Sequence, residues 1–220
     1  MKSVCLVNGS LRGRKSASLA FLRDIDRRLP SSEFAKTTVT VSAARTNPYP
    51  GAVLERMATA DILVLSFPLY AYGLPGGLMR LLEEFDRYVR QGSSPKNGAR
   101  VYVIVNCAFP RPRITGEAVR VVKNLCRRHA LQWRFAVCIG SGITVALTKR
   151  VPLLDFVPRR ALNEMVSDVR SGAVSPHEDI FVRPVIPEQI ILAIKNHYEK
   201  KGEMYATDQS RGARSSGAGG

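Results

Sequence analysis

The feature that most constrains this chain is a regular alternation of short apolar runs with longer amphipathic stretches. Five runs of apolar or β-branched residues lie at positions 2–8, 36–42, 61–67, 100–106 and 133–139. The segments between them have apolar residues at helical spacing, as in residues 16–29, or begin at a proline, as at Pro75. Alternating strands and helices build crossover units whose strands are parallel. The sequence therefore predicts an α/β fold, in which an open, doubly wound, five-stranded parallel sheet carries helices on both faces.

The length of the chain fits one domain with extensions. Its 220 residues exceed one typical domain and fall short of two. We expect a single domain over residues 1–207 and a disordered tail, rich in Gly and Ser, over residues 208–220. Prolines predict two late helices. One runs from Pro158 to residue 169 with Gly172 as its stop, and a C-terminal helical extension runs from Pro187 to residue 198.

The sequence has no pattern typical of a membrane span or a secretory signal. The longest uncharged stretch, residues 62–79, contains two prolines and three glycines, which indicates a strand, a loop and a helix start. Since the N-terminal residues also lack a signal-peptide pattern, we expect a cytoplasmic protein.

The cysteines predict buried thiols and no metal site. No pair has the CxxC spacing that is typical of zinc and iron–sulfur ligands. Most of them lie inside apolar runs, so we expect free thiols in the core. The four are Cys5, Cys107, Cys126 and Cys138.

The charge balance is strongly basic. The chain has 33 Lys and Arg against 18 Asp and Glu, a net charge of +15 and a pI near 10.2. Between Arg100 and Arg134 there are eight cations and one acid, Glu117. Such a surface attracts nucleic acid, acidic lipid or a phosphorylated cofactor. A solvated helix face is the alternative, and the sequence favours it at least equally.

The segment after the first strand has the composition of a phosphate-binding loop. Its sequence, NGSLRGRKSAS over residues 8–18, combines three serines and three cations before a helix. Helix N-termini bind anions, to which Ser10, Ser16, Ser18 and Arg12 could add donors. Alternatively, Ser16 is only an N-cap and the cations are solvated, but the position after a strand favours phosphate. Neither a Walker loop nor GxGxxG is present.

Two further loops follow the third and fourth strands, where ligands bind in parallel sheets. Residues 67–78, FPLYAYGLPGGL, are uncharged and aromatic, so they suit a flat apolar ring; a core loop with two packed tyrosines is an equal alternative. Residues 106–113, NCAFPRPR, could close over the same ring or cap the helix that follows.

Three motifs together resemble the flavodoxin-like, NAD(P)H-dependent FMN oxidoreductases. They are VNGSLRGRKSAS, SFPLYAYGLPGGLMRLLEEFDRY and VNCAFPRPRITGEAVRVVKNLCRRHALQWRFAVCIGSG, within residues 2–142. The resemblance implies strand order 2-1-3-4-5, FMN at the strand ends, and a homodimer with the flavin near its interface. It assigns the FMN phosphate to Ser10, Arg12, Ser16, Ala17 and Ser18. It assigns the flavin ring to Pro68, Leu69, Tyr70, Ala71 and Tyr72 on one side and to Asn106, Cys107, Ala108 and Phe109 on the other.

Two differences from members of this family limit which cofactor and which role the resemblance implies for this chain. Some relatives carry a cysteine cluster after the second strand that binds an iron–sulfur centre, whereas residues 42–51 contain no cysteine. Small electron-carrier flavodoxins are usually acidic, whereas this chain is basic. The comparison therefore disfavours an iron–sulfur cofactor and a ferredoxin-substituting role.

The resemblance implies an enzyme. FMN would take a hydride from NAD(P)H and pass electrons to a small-molecule acceptor such as a quinone or another electron-poor ring. This chemistry needs no catalytic side chain, and none is assigned. The alternative is a non-catalytic binding or regulatory protein on the same fold, whose basic face contacts nucleic acid or a protein partner. Because basic and aromatic residues are not interleaved as in proteins that stack bases, this alternative ranks second to the enzyme.

Overall fold

The computed structural model describes residues 1–41, 48–92, 95–142, 152–173 and 175–183. All described elements lie within Met1–Val185. The strands are β1 Lys2–Asn8, β2 Phe34–Thr40, β3 Ile62–Pro68, β4 Arg100–Asn106, β5 Gln132–Ile139 and β6 Ile180–Val182. The helices are α1 Ala17–Arg28, α2 Gly51–Ala58, α3 Gly76–Arg90, α4 Gly116–Arg128 and α5 Pro152–Ser171.

The strands form one parallel sheet of six, in the order β2-β1-β3-β4-β5-β6. The predicted order 2-1-3-4-5 is confirmed, and β6 extends the sheet by one strand. In β6, Ile180 to Val182 pair with residues 137–139 of β5. An isolated three-residue run has too little pattern to predict a strand, and β6 forms because β5 offers it a partner edge.

The core lies on both faces of this sheet, as predicted. On one face, side chains such as Leu6, Val64 and Ile104 pack with residues of α1 and α5. On the other face, side chains such as Val7 and Leu65 pack with residues of α2, α3 and α4. All seven residues of β4 are buried, as expected of a strand that is covered on both sides. The four cysteines are buried and free, as predicted, and burial raises the pKa of the Cys126 and Cys138 thiols to about 12.

Several boundaries differ from the predictions. Helix α5 begins at Pro152 and contains Pro158, which was expected to start it. The N–H groups in the first turn of a helix have no helical acceptor, so the missing N–H of Pro152 costs the helix no hydrogen bond. Strand β2 begins and ends two residues before the predicted 36–42, because Phe34 joins the core. The predicted helix at Pro187 and the predicted tail lie outside the described residues.

Two of the eight cations between residues 100 and 134 are buried, so these two belong neither to a basic surface nor to a solvated helix face. Arg134 binds both carboxylate oxygens of Asp168 on α5, at 2.9 and 2.7 Å. Tyr102 donates its hydroxyl to the same carboxylate at 2.6 Å. Arg100 donates to the main-chain oxygens of Asp168 and Val169, each at 3.0 Å. These contacts anchor the end of α5, where cations also complement the helix dipole.

Among the described residues, no helix is both long and apolar enough to cross a membrane.

The Asp168 carboxylate should be a major contributor to stability. Burial alone would raise its pKa, but hydrogen bonds from Arg134 and Tyr102 and the positive charges of Arg134 and Arg100 lower it. We expect Asp168→Asn to lower the free energy of unfolding by about 3 kcal/mol, because it leaves buried cations without their counter-charge. Urea unfolding measures the loss. A carboxylate with a lowered pKa stabilises above its unfolded pKa, so the loss should persist from pH 7 to about 4 and shrink below.

The matched control is Glu117→Gln, which removes a carboxylate from an exposed pair with Arg120. Exposed pairs contribute less than about 1 kcal/mol. Equal effects of the two substitutions would contradict the structural role of Asp168.

Candidate functional site

The carboxyl ends of β1, β3 and β4 meet at one edge of the sheet, and the side chain of Asn106 connects them. Its amide nitrogen donates to Ser18 Oγ at 2.9 Å and to the main-chain oxygen of Phe67 at 3.1 Å. The main-chain oxygen of Asn106 accepts from Leu69 N at 2.7 Å. Asn106 therefore joins the end of β4 to the first turn of α1 and to the loop after β3.

A second buried asparagine shapes the loop after β1. The Asn8 amide donates to Gly13 O at 3.3 Å, and its oxygen accepts from Ser10 N at 3.2 Å. Ser16 Oγ donates to Gly13 O at 2.8 Å and accepts from Leu19 N at 3.1 Å. Ser16 is thus the N-cap of α1, as the alternative interpretation of the loop held. Asn8 was not among the predicted site residues.

The start of α1 offers backbone donors to an anion. Ser16 satisfies the N–H of Leu19, whereas no described residue accepts from the N–H groups of Ala17 and Ser18. Ser10 and Ser18 are both buried. The side chains around this turn are exposed cations, namely Arg12, Arg14 and Lys15. The arrangement combines free N–H groups, a positive dipole end and exposed positive charge, which together suit a phosphate.

The loop after β3 is a two-residue hairpin with unusual backbone angles. Tyr70 and Gly73 exchange main-chain hydrogen bonds of 3.0 and 2.8 Å. Between them Ala71 and Tyr72 have φ angles of 45° and 63°, in the region that residues with side chains rarely adopt. Tyr70 is 40% exposed and Tyr72 is 65% exposed, so the alternative of two packed tyrosines is wrong. Pro68 and Leu69, which precede the hairpin, are partly buried.

The loop after β4 lies against the segment after β5. Ser141 N donates to Phe109 O at 2.8 Å, and Gly142 N donates to Cys107 O at 2.9 Å. A Cβ on Gly140 would lie 2.6 Å from Pro110 O, and a Cβ on Gly142 would lie 2.4 Å from the Cβ of Asn106. Both positions therefore require glycine for this close approach. The sequence signal of this contact is the Gly-Ser-Gly run at residues 140–142, directly after β5.

The four residues predicted on this loop divide into two pairs. Ala108 and Phe109 are exposed, Phe109 by 57%. Asn106 and Cys107 are buried, and the Cys107 thiol lies 3.2 Å from Phe109 O. The alternative that this loop caps the next helix is wrong, since a 3-10 turn at Pro112–Thr115 precedes α4 and no side chain caps it.

The edge therefore has two chemically different parts. One part, at the start of α1, is polar and cationic. The other part consists of residues 69–74 after β3 and 107–110 after β4, which carry no charge and present the exposed rings of Tyr72 and Phe109 on neighbouring strands. No described hydrogen bond uses the N–H groups of Tyr72 or Phe109. A flat, heteroatom-bearing ring linked to a phosphate matches both parts.

The comparisons with known proteins give likenesses of structure. No family model and no curated protein matches the sequence. An NADH:FMN oxidoreductase, solved in its apo form, superposes with a TM-score of 0.59 at 14% identity, over 80% of this chain and 92% of that chain. An NAD(P)H:quinone oxidoreductase from Methanothermobacter marburgensis gives 0.54 at 17% identity, over 80% and 99%. An FMN-dependent NADH-azoreductase from Bacillus anthracis, in complex with FMN, gives 0.52 at 14%, over 77% and 99%.

At these identities the likeness establishes the fold. The matched structures are of the same kind as the proteins that the three sequence motifs resemble, and the observed strand order agrees with that resemblance. The chain has a flavodoxin-like α/β fold.

Proposed function

We propose that this protein is an FMN-dependent oxidoreductase that accepts a hydride from NAD(P)H and transfers electrons to a small acceptor such as a quinone. The observation that carries the proposal is the pairing of an anion-binding helix start with an uncharged, ring-lined surface at one edge of the sheet. The known functions of the structurally similar proteins support it.

The residues at this edge fit FMN. The N–H groups of Ala17 and Ser18 would bind the phosphate, and Arg12 would add charge-assisted donors. The hairpin from Pro68 to Tyr72 would contact one side of the ring, and Ala108 and Phe109 the other. When bound, FMN supplies the hydride and electron chemistry.

The contribution of the chain is to bind and orient. Hydrogen bonds from the Asn8 and Asn106 side chains hold the loops in place, so the backbone donors are already positioned before a ligand binds. The φ angles of Ala71 and Tyr72 are costly and persist only because their surroundings enforce them, which is typical of ligand-binding segments. The exposed rings of Tyr72 and Phe109 also leave an apolar rim that a second copy of the chain could cover in a homodimer.

The direct test is the visible absorption spectrum of the purified full-length chain. We expect the protein to bind FMN and to show a flavin spectrum that bleaches when NADPH or NADH is added without oxygen. Reoxidation by a quinone would then follow as a single-turnover measurement. A protein that neither binds FMN nor changes its melting temperature with FMN would contradict the proposal and favour a non-catalytic role.

The phosphate assignment has its own test in Arg12→Gln. We expect this substitution to weaken FMN binding roughly tenfold, because a charge-assisted hydrogen bond is lost, and to leave riboflavin binding unchanged, because riboflavin has no phosphate. Flavin fluorescence titration measures both constants. The control is Arg23→Gln, which removes an exposed cation of α1 away from its first turn. Equal loss of FMN and riboflavin binding would contradict a phosphate contact by Arg12.

A further inference from the structure

Charge is distributed unequally between the two edges of the sheet. In the described segments that directly follow the six strands, every charged residue is basic, and they are Arg12, Arg14, Lys15, Arg111, Arg113 and Arg183. Acids precede three strands at the opposite edge, and each is paired. Glu33 pairs with Arg170, Asp61 with Lys96, and Asp179 with Lys123. Within the described residues, no carboxylate lies within ion-pair distance of Arg111, Arg113 or Arg183.

The six cations form two groups that are too far apart to bind one phosphate together. The first group follows β1, and the second, Arg111, Arg113 and Arg183, follows β4 and β6. Neighbouring strands are about 4.8 Å apart, so β4 lies about 10 Å from β1 and β6 about 19 Å from it. Salt screens exposed charges beyond about 8 Å at physiological ionic strength. A phosphate bound at the start of α1 therefore leaves the second group, here called the distal cations, uncompensated.

Arg111, one of the distal cations, lies beside the ring-lined part of the edge. Arg111 is two residues after Phe109, so their Cα atoms are within about 7 Å of each other. Pro110 and Pro112 flank Arg111 and restrict its backbone, and Pro110 packs closely against Gly140. The Arg113 guanidinium lies 5.0 Å from the centre of the Phe181 ring on β6, a cation–π contact that holds it in place.

We propose that the distal cations bind a negatively charged group on the molecule that meets the flavin ring, with Arg111 as the principal contact. The inference rests on the proposed function. A carboxylate, sulfonate or phosphate suits the guanidinium fork. This anion has two possible sources, the electron acceptor itself or the 2′-phosphate of NADPH.

Equilibrium binding distinguishes these sources without turnover. Two pairs of probes are titrated by calorimetry: naphthalene-2-sulfonate against 2-naphthol, and 2′,5′-ADP against 5′-AMP. We expect the wild-type chain to prefer at least one anionic probe over its counterpart by roughly tenfold at low salt, and to lose the preference at high salt. A preference for the sulfonate identifies an anionic acceptor, and a preference for 2′,5′-ADP identifies NADPH.

The variant Arg111→Gln/Arg113→Gln should abolish that preference and leave binding of the neutral or less charged probe unchanged. The matched control is Arg120→Gln/Arg127→Gln, which removes the same charge from exposed positions of α4 and should keep the preference. The proposal is overturned if wild-type protein has no anion preference, or if the preference survives in Arg111→Gln/Arg113→Gln. Titrations are made with and without FMN, so failure to bind FMN, which contradicts the proposed function, is observed separately.

Discussion

The candidate site depends on the side-chain amide of Asn106. Its amide nitrogen donates one hydrogen bond to Ser18 Oγ in the first turn of α1 and another to the main-chain oxygen of Phe67 near the end of β3. Its Cβ lies so close to Gly142 that no side chain fits between them. This buried amide thus fixes the relative positions of the start of α1, the end of β3 and the segment at Gly142. Burying an amide is costly unless it is hydrogen-bonded, so these contacts also make the arrangement specific.

The two edges of the parallel sheet differ in charge pairing and in the groups that they expose. At the amino edge acids and cations pair, and the buried contact of Arg134 with Asp168 fastens α5 to the strands. At the carboxyl edge lie backbone N–H groups without a described partner, exposed rings, and cations such as Arg111 that no described carboxylate pairs with. These ion pairs lie where no ligand is expected, whereas the strained backbone of Tyr72 lies at the carboxyl edge.

Much of this architecture is predictable from the sequence because buried parallel strands are continuous apolar runs. The bounds of β1 and β4 agree with prediction for this reason. The rest depends on tertiary contacts that leave no local pattern. β6 needs the free edge of β5, and Arg100 and Arg134 resemble surface cations until Asp168 is brought beside them. The three loops follow β1, β3 and β4 as predicted, but the roles of Asn8 and Asn106 in supporting them are apparent only once their partners are in place.

The most direct test of this account is hydrogen–deuterium exchange of the full chain with and without FMN. The three loops should gain protection together, in peptides covering residues 9–19, 68–74 and 107–111, because one ligand would use their backbone donors at once. Peptides at the amino edge, such as those around Asp61 and Gly98, should not change. Protection confined to one loop, or found only at the amino edge, would contradict a shared flavin site at the carboxyl ends of β1, β3 and β4.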